Sequence, residues 1–182
     1  MKSKLGAIII IAIVLFSCKD DKNKINKEEL NSKIEANNFF KVSLDLVVLK
    51  DDNFHLYYTE DGTVNFNEKQ SIWVPINGSE KVQEVVYNLP EDVVPTHIRL
   101  DFGFGKNEAQ SDVVIKSFKM NYFDKNFQVN DAKVFDYFSP NELSTIIDKP
   151  TSSLKRVKKD QETGPSLYPQ ILLGEEIAKM TK

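Results

Sequence analysis

From Phe39 onward the chain alternates between apolar and polar positions. Phe40, Val42, Leu44, Leu46 and Val48 recur at every second residue, with Lys41, Ser43 and Asp45 between them, which predicts a half-buried strand. Phe54 to Thr59 predicts a second strand, closed by Asp61-Gly62, a pair that accepts positive φ. Thr63 to Phe66 is short enough for a minor third. Gln70 to Ile76 sets Ile72, Val74 and Ile76 against Ser71, Trp73 and Pro75, then stops at Asn77-Gly78, a hairpin signal. Lys81 to Leu89 and Thr96 to Phe102 follow. Asp112 to Phe123 is the last clear strand, and strict alternation puts Val114, Phe118, Met120 and Tyr122 on one face, Val113 and Ile115 on the other. About seven strands separated by turn signals point to a mostly β fold, an antiparallel sandwich rather than βαβ units.

After Asp124 the pattern loosens. Phe127, Val129, Val134, Phe135, Tyr137 and Phe138 are too apolar for a free tail, so residues 125–182 are expected as a partly helical extension packing on a sandwich of residues 39–124. Ser139-Pro140-Asn141-Glu142 reads as a cap opening a short helix through Ile147. Lys149 to Gly164 reads as a loop with a basic cluster, Lys155, Arg156, Lys158 and Lys159. This cluster suits either solvent or anionic lipid phosphate. Pro165 and Pro169 bracket Leu167-Tyr168, and Ile171 to Met180 suits a final helix.

Residues 1–17 have the parts of a secretory signal: Lys2 and Lys4, then an apolar run from Leu5 to Phe16 that is short for a bilayer-spanning helix. The run ends at Leu15-Phe16-Ser17-Cys18, which holds the single cysteine and resembles the lipobox of bacterial lipoproteins. That resemblance implies cleavage before Cys18, acylation of its sulfur and residence in the outer membrane. Lys19-Asp20-Asp21-Lys22 is similar to the acidic export tag of Bacteroidota surface lipoproteins, implying display at the cell surface; the periplasmic face is the alternative address. Residues 18–38, polar and rich in Lys, Asn, Asp and Glu, are expected as a lipidated tether. An acylated Cys18 would leave no thiol for a disulfide, a nucleophile or a metal ligand.

Without residues 1–17 the chain keeps 22 basic residues against 27 acidic ones, a net charge of −5. No concentrated basic field exists for phosphate, so nucleic acid is not an expected partner. The membrane, a glycan and an envelope protein are.

Three segments carry a looser likeness: Asp52 to Tyr58, Ile98 to Gly103 and Val113 to Phe118. Together they resemble galactose-binding-like β-sandwich modules, which occur alongside bacterial cell-surface glycan enzymes. The resemblance covers about Phe39 to Tyr122 and implies a jelly-roll-like sandwich with carbohydrate as ligand class.

Sugar binding needs flat aromatic faces together with carboxylate, amide or guanidinium groups. Trp73 is the first candidate; its rival role is to cap the core or lie under the C-terminal section. His55 and Tyr57 share a strand face that is either a platform or ordinary sheet surface. His97, Arg99 and Asp101 form a polar row at two-residue spacing, fit to grip a hydroxylated or anionic ligand or to form an ion pair covering the sheet.

Enzyme motifs are missing. Asp101-Phe102-Gly103 echoes the magnesium-binding triplet of protein kinases without their catalytic loop or glycine-rich loop. Gly103-Phe104-Gly105-Lys106 lacks the spacing of a phosphate-binding loop. Two histidines with one cysteine make no zinc motif. A carboxylate pair meeting in space would serve glycoside cleavage, but no motif marks one. The expectation is therefore a non-catalytic carbohydrate-binding lipoprotein with no cofactor. The alternatives are an accessory subunit that docks a partner through a sheet face, Tyr168 and the last helix, and, third, a hydrolase.

Overall fold

The structure, a computed structural model, describes residues 39–182 apart from Glu108. The signal segment, Cys18, the export tag Lys19 to Lys22 and the tether lie outside the described residues. Two antiparallel sheets face one another across a single apolar core. The strands are β1 (Lys41–Val48), β2 (Asp52–Thr59), β3 (Ser71–Ile76), β4 (Ser79–Asn88), β5 (His97–Phe102), β6 (Val113–Tyr122), β7 (Lys125–Asn130), β8 (Phe138–Pro140), β9 (Thr145–Asp148), β10 (Ser153–Arg156) and β11 (Ser166–Pro169). The first sheet runs β4-β1-β6-β10-β9, with β7 also paired to β6; the second runs β3-β2-β5-β11-β8. The expected mostly β, antiparallel sandwich is what forms.

Alternation decides which face of each strand is buried. Val42, Leu44, Leu46 and Val48 of β1 meet Phe54, Leu56 and Tyr58 of β2 and Ile98, Leu100 and Phe102 of β5 in the core. β6 departs from strict alternation. Asp45 pairs with Ser117 but Leu46 pairs with Ile115, so Lys116 is an extra residue in a bulge. The bulge shifts the phase, and Val113, Ile115, Phe118 and Met120 all become core residues, correcting the two-face expectation.

Other local expectations are also overturned. Thr63–Phe66 forms no strand; it belongs to a loop in which Asp61 Oδ1 accepts from Thr63 N (3.0 Å) and Gly62 takes φ +79°. Asn77-Gly78 does not close a paired hairpin, because β3 and β4 lie in different sheets. Gly78 is needed there for close approach: a Cβ would stand 2.5 Å from the Leu49 carbonyl oxygen.

Residues 125–182 supply strands to both sheets, rather than packing on a finished sandwich. β7 makes a hairpin with β6 through Phe123, at φ +51°. β11 inserts between β5 and β8, and β10 between β6 and β9. The expected helix at 139–147 is one turn only. Ser144 N and Thr145 N donate to the Asn141 carbonyl at 2.9 and 2.8 Å, and the β-branched Thr145-Ile146-Ile147 then continues as β9. Lys149 to Gly164 contains β10 rather than being loop throughout. Helix α1 (Ile171–Thr181) buries Leu173, Ile177 and Met180, and the Lys125 ammonium donates to the Lys179 and Lys182 carbonyls at its C-terminal end.

Candidate functional site

The outer face of the second sheet carries an array of rings. Register places Trp73 of β3 and Asp101 of β5 on either side of His55 in β2, while Tyr57 pairs with Arg99. The His55 and Trp73 rings stack at 3.7 Å and 19°, and Tyr57 leans on His55 at 3.9 Å. Arg99 continues the array. Its guanidinium lies over Tyr57 (4.9 Å) on one side and over Tyr168 of β11 (4.7 Å) on the other. Asp101 takes the edge of the same guanidinium, accepting from Nε at 2.8 Å and Nη2 at 2.6 Å.

Five of the six residues singled out from the sequence thus meet in one place: His55, Tyr57, Trp73, Arg99 and Asp101. They line a cavity of about 400 Å³, closed by Phe104, Asn141, Glu162, Thr163, Gly164 and Ser166. His97 does not join them. It starts β5 at the other end of the sheet, with Nδ1 3.3 Å from Thr96 Oγ1. It lines a separate cavity of about 640 Å³ beside α1. Trp73 neither caps the core nor lies under the C-terminal section; it is 42% exposed on the outer face.

Two residues that local pattern does not mark complete the wall. Glu68, on the β2–β3 loop, accepts a 2.6 Å hydrogen bond from the Tyr57 hydroxyl. Phe104, 66% exposed, meets Trp73 edge to face at 5.2 Å and 89°. An aromatic between Gly103 and Gly105 was the available signal for Phe104; Glu68 had none. A second cavity of about 440 Å³, lined by Asn53, Glu68, Trp73 and Phe104, adjoins the first and shares three of its residues.

The Phe104 loop is held from beneath. The buried Asp52 carboxylate accepts from Phe104 N (3.1 Å), Asn107 Nδ2 (3.3 Å) and Gln110 Nε2 (2.5 Å). Gln110 Oε1 accepts in turn from Arg156 Nε, and Arg156 also reaches the Gln161 carbonyl at 3.0 Å. Arg156 therefore points inward, and Lys155 pairs with Asp148 at 3.1 Å. The four-residue basic cluster expected at 155–159 is not a single surface patch.

Burial sets the charge states of the site. His55 is 1% exposed, Nε2 has no hydrogen-bond partner, and Glu68 Oε2 stands 3.8 Å away. Burial lowers its pKa to about 4, with Glu68 opposing and Arg99 assisting, so the ring is neutral near neutral pH. Burial also raises the Tyr57 phenol, reinforced by its bond to Glu68. Asp101 is raised by burial despite its pairing with Arg99. For Arg99, burial pulls the guanidinium down but pairing with Asp101 outweighs it and holds the group above its ordinary value.

Among the described residues, no group of three or more His, Cys, Asp or Glu side chains is arranged to hold a metal ion. No helix among them is long and apolar enough to cross a membrane. Comparison with family models, curated proteins and solved structures returns no match. What the arrangement offers chemically is a preformed aromatic face with carboxylates and an amide around it.

Proposed function

We propose that this is a lipid-anchored envelope protein, held at the outer membrane through Cys18 and displayed at the cell surface, whose sandwich binds carbohydrate without acting on it. The observation that carries the reading is Trp73, stacked on His55 and half open to a groove that also presents Glu68, Asp101, Glu162 and Asn141. A flat indole beside hydrogen-bonding carboxylates and an amide is the chemistry that recognises a pyranose, with C–H bonds on the ring and hydroxyls on the polar groups. Chain direction sets the groove away from the anchored end. Residue 39 enters at the start of β1, next to Leu89, whereas Phe104 follows the far end of β5, where Phe102 pairs with Phe54 near the start of β2. The site's rim is therefore about a strand length, ~26 Å for the eight residues of β1, from the point of entry.

A soluble chain of residues 19–182 on a glycan array tests the binding. Retained glycans whose signal falls at least tenfold in Trp73→Ala support it; a flat array, or signal indifferent to that substitution, refutes it. Cys18→Ala should abolish detergent-phase partition of the full chain, and unchanged partition would remove the anchor.

A further inference from the structure

The groove has a charge preference. Its walls hold three carboxylates, Glu68, Asp101 and Glu162, and Arg99 is the one cation among its described lining residues. Arg99 is already committed: Asp101 occupies its edge and the rings of Tyr57 and Tyr168 cover its faces. His55 adds no charge while its ring stays buried and neutral. Asp101 is neutralised by its pairing with Arg99, which leaves Glu68 and Glu162 to set the sign: an anionic ligand would meet these two with no unengaged cation among the described lining residues, whereas a cationic one would be drawn to them.

A place for that cation is built. Trp73 and Phe104 stand at 89° as two walls of a corner, and Glu68 and Asn53 border the same cavity. Glu68 is fixed there by the Tyr57 hydroxyl, which leaves its other oxygen on the His55 side. Aromatic faces meeting beside a carboxylate attract an ammonium group through ring quadrupole and charge together.

We propose that the sugar bound here carries a free amine, its ammonium seated in the Trp73–Phe104 corner against Glu68. Neutral sugars rank second and uronic acids last. This rests on the carbohydrate reading above and names its substrate class.

Isothermal titration of residues 19–182 at about pH 6, where a sugar amine is protonated and His55 is still neutral, tests the order. The probes are β-1,4-linked oligomers of glucosamine, glucose and glucuronic acid, matched in length. Glucosamine oligomers should bind at least about threefold tighter than glucose oligomers, and glucuronate oligomers at least about threefold weaker. Glu68→Gln should narrow the gap between the amine and the neutral series, and added salt should do the same. Glucuronate binding as tight as glucosamine, and lost in Trp73→Ala, overturns the charge selection while the carbohydrate reading stands. Binding of none of the three also overturns it, and a flat glycan array beside that result takes the carbohydrate reading with it.

Discussion

Protonating His55 should cost this protein stability in a defined pH window. The ring is buried between Trp73 and Tyr57, and its pKa is depressed from 6.5 to about 4. A depressed folded-state pKa means that the unfolded chain takes up the proton first as pH falls. The stabilisation is thus fully present above pH 6.5 and is lost as pH falls through about 4. At about 1.4 kcal/mol per pH unit, the whole gap amounts to about 3 kcal/mol. That value already contains the opposing pull of Glu68, 3.8 Å from Nε2, so about 3 kcal/mol is the full expected loss. Urea unfolding of the wild type and of His55→Gln at several pH values isolates the effect as the difference between the two pH slopes. Proton NMR gives the site directly, because the chain has only two histidines and His97→Gln identifies the other resonance. Trp73→Ala should then raise the His55 midpoint toward 6.5 by letting water reach the ring. A His55 midpoint near 6.5 in the wild type, or one unmoved by Trp73→Ala, would refute the claim that stacking and burial set its charge state.

Two further substitutions probe how the groove is held. Gly164→Ala should destabilise by at least ~2 kcal/mol and weaken glycan binding, because the new Cβ would lie 1.9 Å from the Phe102 carbonyl oxygen, a backbone atom that cannot give way without breaking the 2.7 Å bond from Phe102 N to the Pro165 carbonyl. A change in urea midpoint equivalent to less than about 0.5 kcal/mol would show that the backbone there is not close-packed. Arg99→Ala should cost about 2–3 kcal/mol, somewhat below the figure for a fully buried pair, since it strips the partner from an Asp101 carboxylate that is 18% exposed. Adding Asp101→Ala should recover part of that loss in the same unfolding assay, and no recovery would mean that Arg99 acts through its ring contacts alone.

The strands up to Tyr122 are legible in the sequence because each has one face in the core, so period-two alternation is strict enough to read. The exception proves instructive: β6 looks two-sided because the Lys116 bulge resets its phase, and a bulge is visible only in the pairing with β1. Residues 125–182 are hard to read for another reason. Their strands are three to six residues long, and the β6–β7 turn places Phe123, which carries no turn signature, at positive φ. Within the site, His55 with Tyr57 and Arg99 with Asp101 follow from two-residue spacing alone. That His55 lies between Trp73 and Asp101 needs the register of three strands. Glu68 and Phe104 arrive on loops: the Phe104 loop is held by the distant Asp52, Gln110 and Arg156, and Glu68 is placed by the Tyr57 hydroxyl and by bonds within its own loop, none of which alternation reveals.

The division of labour between the two halves of the chain follows from that register. β2, β3 and β5 make the ring array, but by themselves they would leave β5 an edge and one face of Arg99 bare. β11 pairs with β5 through Ser166 and Leu167 and brings Tyr168 over that face, while Gly164 packs against Phe102 to wall the cavity. The second half also buries Val134, Phe135, Phe138, Leu154, Leu167, Leu173, Ile177 and Met180 in the shared core. The groove is accordingly a property of the closed sandwich. Its aromatic floor is set before any ligand arrives, so a sugar entering it need not order Trp73, His55, Tyr57 or Arg99.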